Sequence, residues 1–331
     1  MCDGRKTAPV SEMRTGYRHL FGPVPSRRLG RSLGVDLVPF KTCSFDCVFC
    51  QLGRTTRKTL KRREYVPVDD VIEELGTWLK AEHRADYITL SGSGEPTLNS
   101  GFGRVIEFAR NATSIPVAVL TNGSLLMDAE VRAQAAQANV VKVSLSAWDQ
   151  SLLEHVNRPH PDIQFKELIE GQWLLRNHFS GELWVEVFLV WGTNTTTKDI
   201  SEIARLVRAL GPDKVQLNTA VRPPCEEYAY PVPRDQLAGL AEAFDPPAEV
   251  IAEYSSNISA GSGMDETDVL HMLERRPCTL DQICRVFGLH RNEALKYLGK
   301  LSRTGRVQRD RKSGRSYYAA VRRGEEERAN V

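Results

Sequence analysis

The sequence predicts an α/β fold: a partial (β/α)6 barrel of parallel strands with a small C-terminal winged-helix domain. Three observations carry this expectation. From Arg31 to Tyr254, short β-rich runs alternate with helical patterns in about six units, and repeated β-then-α units imply a parallel sheet with right-handed crossovers. No Gly-x-Gly-x-x-Gly run occurs, which favours a barrel over a dinucleotide-binding sheet. From Met264 onward the balance turns basic, 15 Lys/Arg against 10 Asp/Glu, while the first 263 residues hold 29 against 32. The two parts are therefore expected to meet different partners.

Taken in order, strands are expected at 34–38, 87–91, 117–121, 140–144, 183–190, 215–219 and 250–254. Helices are expected at 69–81, 102–112, 128–138, 150–156, 165–177, 199–210 and 234–244. Val71, Leu75, Trp78 and Leu79 keep helical spacing before 87–91 turns β-like, and Pro67 with Asp69 reads as a helix start. Residues 255–264 are small and polar, a linker between a barrel domain (21–254, after an N-terminal extension 1–20) and a domain at 265–321, with a charged tail at 322–331. Helical runs at 265–274, 279–287 and 292–302 precede two basic β-like pieces, 306–309 and 316–319. Three helices and a hairpin make the winged helix-turn-helix pattern, with Gly288 at the turn and Leu295, Leu298 and Leu301 on the core side of the last helix.

The chain has 331 residues, 41% hydrophobic and 26% charged, with net charge +2. This excludes collagen-like, disordered and coiled-coil classes. No run approaches the ~18 apolar residues of a membrane helix, and the polar, basic start lacks an apolar signal core. The expectation is a cytoplasmic chain with no membrane partner. Seven cysteines in such a chain point to reduced thiols or a metal site rather than a disulfide framework.

Cys43-Ser-Phe-Asp-Cys47-Val-Phe-Cys50 is the strongest signal. Three thiols within eight residues, on a loop after the first strand, can converge on one metal centre. A closed zinc site needs four ligands, and no His or Cys lies in the next thirty residues. A [4Fe–4S] cluster held by three thiolates leaves one iron open. Zinc with a fourth ligand from elsewhere, or chance clustering of the cysteines, is the alternative.

The C-x3-C-x2-C spacing of Cys43, Cys47 and Cys50, with Phe49 before the last cysteine, resembles the radical S-adenosylmethionine (SAM) superfamily. The resemblance covers roughly residues 21–254. Within the superfamily, the runs at 21–34, 91–97, 120–123, 157–159 and 216–219 are similar to the group around the tRNA wyosine-base synthases. The resemblance implies a [4Fe–4S] cluster and SAM as cofactors. It also implies reductive cleavage of SAM to a 5′-deoxyadenosyl radical, which abstracts hydrogen from a substrate. Upstream of Cys43 stands only Cys2, so the second cluster of the wyosine synthases is not expected. No flavodoxin-like domain is present, so electrons must come from an external donor of flavodoxin or ferredoxin type.

Other residues gain candidate roles from their place at strand ends, where ligands sit in such folds. Ser93-Gly94-Glu95 resembles the superfamily's Gly-Gly-Glu motif, its glycine allowing close backbone approach and its carboxylate suited to the SAM ammonium. An ordinary glycine turn is the alternative. Asn122, Ser144 and Ser146 are candidates for the SAM ribose or carboxylate, against simple turn capping. Asn194, Asn218 and Arg222 are further candidates for SAM or substrate. Cys225, after Pro223-Pro224, is a candidate hydrogen-atom donor, against a packed small apolar side chain. Six cations at 54–63, and nine against two acids between Arg291 and Arg315, are candidate nucleic-acid contacts; a solvated loop is the alternative for the first. Three functions are open: a radical SAM enzyme on nucleic acid, one on a protein or small molecule with the winged helix as a docking module, and an iron–sulfur sensor that binds DNA.

Overall fold

The computed structural model describes residues 17–321 apart from 27, 82, 222–223, 252–265, 276, 288 and 313–314. The expected linker and charged tail, and most of the N-terminal extension, lie outside the described residues. An antiparallel hairpin, β1 (Leu20–Ser26) and β2 (Gly30–Val35), opens the fold, and a short parallel pair follows, β3 (Thr42–Cys43) and β4 (Arg57–Lys58). Then come α1 (Val68–Lys80), β5 (Tyr87–Leu90), a 3-10 turn (Pro96–Leu98), α2 (Phe102–Ala112), β6 (Val117–Leu120), α3 (Ala129–Ala135) and β7 (Val140–Ser144). They are succeeded by α4 (Gln150–Val156), α5 (Phe165–His178), β8 (Glu182–Leu189), α6 (Thr197–Leu210), β9 (Lys214–Thr219), α7 (Arg234–Ala241) and β10 (Glu249–Val250). The large sheet runs β1-β2-β5-β6-β7-β8-β9-β10 and is parallel from β2 onward.

Three expectations are corrected. The first parallel strand lies at Gly30–Val35 rather than 34–38, and β1 before it was not anticipated. Pro23 and Pro25 hide β1 from pattern reading, yet proline is admissible because β1 is the sheet's edge. Gly34 is required there, since a Cβ would stand 2.0 Å from the Phe21 ring. Helix α3 is shorter than 128–138: Asp128 caps its start, accepting from the Glu130 and Val131 N–H groups, and past Ala135 the chain tightens into i→i−3 bonds from Gln137 to Gln134 and Ala138 to Ala135. The last strand covers only two residues, and 252–254 lie outside the described residues. Elsewhere the elements match within a few residues. In α6, for example, Thr196 and Asp199 form a reciprocal capping box and Gly211 ends the helix left-handed.

Strand side chains alternate between two environments. Leu33, Leu90, Val119, Val143, Val187 and Leu217 join the main apolar core with the helices. The opposite face carries Ser32, Thr89, Lys142, Glu186, Gln216 and Asn218, all buried. Its floor is apolar: Leu29, Ala118, Val140 and Trp184 pack together. Residues from β2, β5, β8 and β9 line one cavity, which requires the sheet to curl around it.

Beyond the undescribed stretch stand α8 (Glu266–Arg275), α9 (Leu280–Phe287), α10 (Arg291–Arg303) and an antiparallel hairpin, β11 (Val307–Lys312) with β12 (Arg315–Ala320). They share a core of their own that includes Leu273, Ile283, Leu298 and Leu301. Leu295 is exposed, against expectation. The buried face runs Ala294, Leu298, Leu301, the i, i+4, i+7 row of a helix, and Leu295 sits one residue round from it. Helix α8 packs on β12 and also on β1. No described helix is long and apolar enough to cross a membrane.

Candidate active site

The loop from β3 to β4 carries Cys43, Cys47 and Cys50, and its backbone is anchored from two sides. From one side, the Lys41 N–H donates to the Ser93 carbonyl at 2.7 Å and the Glu95 N–H to the Thr42 carbonyl at 3.1 Å. Gly94 makes this possible: a Cβ there would lie 1.8 Å from the Thr42 oxygen. The close approach that glycine allows is thus to the cysteine loop itself. From the other side, the Asp46 N–H donates to the Asn157 and Arg158 carbonyls, and the Val48 N–H to the Val156 carbonyl.

Each thiol meets a different nitrogen donor. Lys41 Nζ, on a buried side chain, stands 3.1 Å from Cys50 Sγ. Asn157 Nδ2 lies 3.3 Å from Cys47 Sγ and Asn122 Nδ2 3.7 Å from Cys43 Sγ. Burial, with the Glu95 charge next, pushes the Cys43 thiol up to about 12. Burial and the neighbouring cysteines push Cys47 up as well. Thiolates here need compensating positive charge, which bound iron would supply. The three cysteines lie near enough to feel one another's charge. Three thiols and no fourth ligand on the loop, each sulfur met by a nitrogen donor, are a donor set that fits a cluster.

Glu95 is an organiser of this wall. Its Oε1 accepts from the Thr97 N–H (3.1 Å), Thr97 Oγ1 and Thr121 Oγ1 (2.7 Å each), and its Oε2 from the Asn122 N–H (2.7 Å). Burial pushes its carboxyl up from the ordinary range, against those donors. Asn122, so placed, also donates to Ser44 Oγ and caps the Ser124 N–H. Glu95→Gln should therefore cost about 1–3 kcal/mol of stability, since an amide NH2 must face a buried donor. Equal urea midpoints for the two proteins would show that the network re-forms around the amide.

The cavity on the inner face measures about 350 Å³. Phe49, Cys50 and Gln51 form one part of its lining, with Arg28, Glu186, Phe188 and Asn218 among the others. The Phe49 and Phe188 rings stack at 3.8 Å. Arg28 and Lys142 both pair with Glu186, and Asn218 Nδ2 donates to it at 2.9 Å.

The expected cofactor-binding residues thus fall into groups. Phe49 and Asn218 line the cavity beside Cys50, whereas Ser93, Gly94, Glu95 and Asn122 build the wall behind the cysteine loop. Asn194 and Ser146 are engaged within the protein itself. Asn194 is fully buried, donating to the Ser146 and Phe188 carbonyls and accepting from the Val190 N–H, while Ser146 Oγ accepts from the Phe188 N–H. Ser144 ends β7 with its carbonyl held by Gln172, and Arg222 lies outside the described residues. Cys225 is half-buried and is not among the residues lining the cavity. Its Sγ is 3.9 Å from Glu226 Oε1, and burial, Asp46 and Glu226 push its thiol up. Glu226 in turn binds Arg54 and Arg158, tying this segment to the loop. Sequence reasoning missed Arg28, Lys142 and Glu186. A charge in the interior of each largely apolar run, Lys142 in β7 and Glu186 in β8, was the available signal.

Comparison with known proteins fits this geometry. The radical SAM superfamily profile matches residues 37–207. The chain is 31% identical over 306 residues to a UPF0026 protein of Methanocaldococcus jannaschii, covering 90% of this chain and 94% of that protein. It is 34% identical over 313 residues to GTPase Obg of Brachyspira hyodysenteriae, covering 93% of this chain but only 46% of that protein. A radical SAM methyltransferase from Sphaerobacter thermophilus superposes with a TM-score of 0.50 at 20% identity, over 66% of this chain and 65% of that one, a likeness of fold alone. The chain belongs to the radical SAM superfamily and to the UPF0026 proteins. It is therefore an enzyme of the class that uses a [4Fe–4S] cluster and SAM. Of these two relatives one carries the UPF0026 name, and neither carries that of a wyosine-base synthase.

Proposed function

We propose that Cys43, Cys47 and Cys50 hold the [4Fe–4S] cluster and that SAM and substrate meet in the cavity beside Cys50. The observation that carries this reading is that cavity: one cluster cysteine and the stacked Phe49 form part of its lining, and the Arg28–Glu186–Asn218 set forms another. When bound, the cluster and SAM supply a 5′-deoxyadenosyl radical for hydrogen abstraction. The protein's own part is to seat the loop through Gly94 and Glu95, give each sulfur an N–H donor, and keep water from the radical with Phe49, Phe188 and Leu120. A DNA-binding iron sensor has no use for such a cavity, which argues against that alternative.

For the substrate, the reading we favour is nucleic acid brought by the C-terminal domain as a winged helix. Its α10 and hairpin hold the basic run from Arg291 to Arg315, and α8 packs on β1, whose Phe21 and Val24 line the cavity. The test is anaerobic reconstitution with iron and sulfide, then SAM and dithionite, scoring 5′-deoxyadenosine with and without RNA, DNA or cell extract. About four irons per chain and product formation that RNA or DNA accelerates are expected. Full iron content without SAM cleavage would refute the cofactor reading, while stimulation only by a protein or small-molecule fraction would refute the nucleic-acid reading.

A further inference from the structure

We propose that the cationic strand beside the cluster loop is the docking surface for an acidic one-electron carrier protein, an assignment that rests on Cys43, Cys47 and Cys50 holding the cluster. Strand β4 pairs in parallel with β3 in the register Thr42↔Arg57 and Cys43↔Lys58. The Thr59 N–H donates to the Cys43 carbonyl at 3.0 Å and the Arg57 N–H to the Lys41 carbonyl at 3.1 Å. Lys58 therefore lies one strand spacing, about 4.8 Å, from the backbone of a cluster ligand.

The cations at 54–63 divide into two sets. Arg54 is bound to Glu226, and Arg62 to Asp128 and Glu130, so these two belong to the framework. Arg57, Lys61 and Arg63 are exposed and have no acidic partner among the described residues, whereas Lys58, also exposed, donates its Nζ to the Pro159 carbonyl at 3.1 Å. Tyr65 gathers three of them. The guanidiniums of Arg57 and Arg63 lie 5.3 and 4.5 Å from its ring centroid, and its hydroxyl donates to the Lys61 carbonyl at 2.8 Å. The outcome is an ordered positive patch whose strand is hydrogen-bonded to the ligand strand itself.

The function of such a patch follows from what the cluster needs. It must accept an electron from outside, and electron transfer falls steeply with distance, so a carrier must dock where a ligand strand comes close to the surface. Unpaired surface cations steer an acidic partner to that place and speed its association. The step balances simply: the reduced carrier loses one electron, the cluster passes from 2+ to 1+, and no bond or proton is exchanged. A nucleic-acid track would instead combine cations with free aromatic faces for stacking, and the Tyr65 ring is already engaged by two guanidiniums.

The test uses the full chain, reconstituted anaerobically, and flavodoxin hydroquinone as the carrier. Arg57→Glu/Lys61→Glu/Arg63→Glu is compared with the unaltered chain. Expected are unchanged iron content, an unchanged rate of reduction by photoreduced deazariboflavin, and a tenfold or greater fall in both the association rate and the reduction rate with flavodoxin. The salt dependence of association should vanish with the charges. Unchanged flavodoxin kinetics would overturn the proposal, and so would loss of tRNA binding with flavodoxin kinetics intact. If the reversed chain fails to take up iron, the glutamine counterparts and a salt titration of the unaltered chain carry the same comparison. An unaltered chain that binds no iron would instead refute the cluster assignment, while flavodoxin binding to the metal-free chain would still report on the patch.

Discussion

Gly94→Ala is expected to destabilise the fold by about 3 kcal/mol or more and to unseat the cysteine loop. The added methyl would stand 1.8 Å from the Thr42 carbonyl oxygen. That neighbour is backbone, so no side chain can swing aside. Either β3 or the Ser93–Glu95 segment must move, and the hydrogen bonds from Lys41 to Ser93 and from Glu95 to Thr42 go with it. Gly53→Ala is the matched control. Gly53 has φ +87 but nothing within 4 Å of a Cβ, so it should lose only the left-handed preference, about 1 kcal/mol. Urea unfolding and iron content measured together separate the two cases. If Gly94→Ala proved as stable as Gly53→Ala and loaded iron as well, the contact with Thr42 would not be what requires glycine.

Cys43→Ala, Cys47→Ala or Cys50→Ala should each reduce bound iron to background and abolish SAM cleavage. A cluster on three thiolates with one iron open has no ligand to spare. The same thiols set a pH signature in the metal-free chain. Burial holds the Cys43 thiol near 12, well above its unfolded value of about 8.5. A folded-state value that is raised gives stability fully present below the unfolded one and lost as pH rises through the folded one. Metal-free protein should therefore lose stability between about pH 8.5 and 12, while the cluster-loaded protein, its sulfurs already deprotonated on iron, should not lose it through these groups. Chemical denaturation across that range, with and without iron, decides the matter. Parallel curves would mean that the thiols are not the titrating groups.

The two experiments also mark what the sequence could disclose. The cysteine pattern was legible because the cluster proposed for it would demand several thiols at close spacing, and few other demands produce that pattern. Phe49 followed with it. Gly94 and Glu95 were legible as positions but not as roles, since glycine beside a carboxylate serves a ligand or a neighbouring strand equally well. Only the Thr42 contact and the four donors to Glu95 distinguish these. Asn194 is ambiguous in the same way, because an amide at a strand end can bind or brace. The Arg28–Lys142–Glu186 set stayed hidden for a different reason: it joins residues far apart in the chain, and only the curl of the sheet brings them together. Most helices were visible from periodicity, whereas the proline-bearing β1 breaks every local rule for a strand except the one that applies at an edge.

That edge has a consequence for how copies of this chain treat one another. A sheet rim with a full row of free N–H and C=O groups is a template for a stray strand and a seed for aggregation. Here one rim is β1, where Pro23 and Pro25 carry no N–H and α8 packs alongside. The other rim is β10, two residues long. Among the described residues neither rim presents a long ladder, so the broad parallel sheet, slow to assemble because its pairings are distant in sequence, offers its neighbours little to grow on.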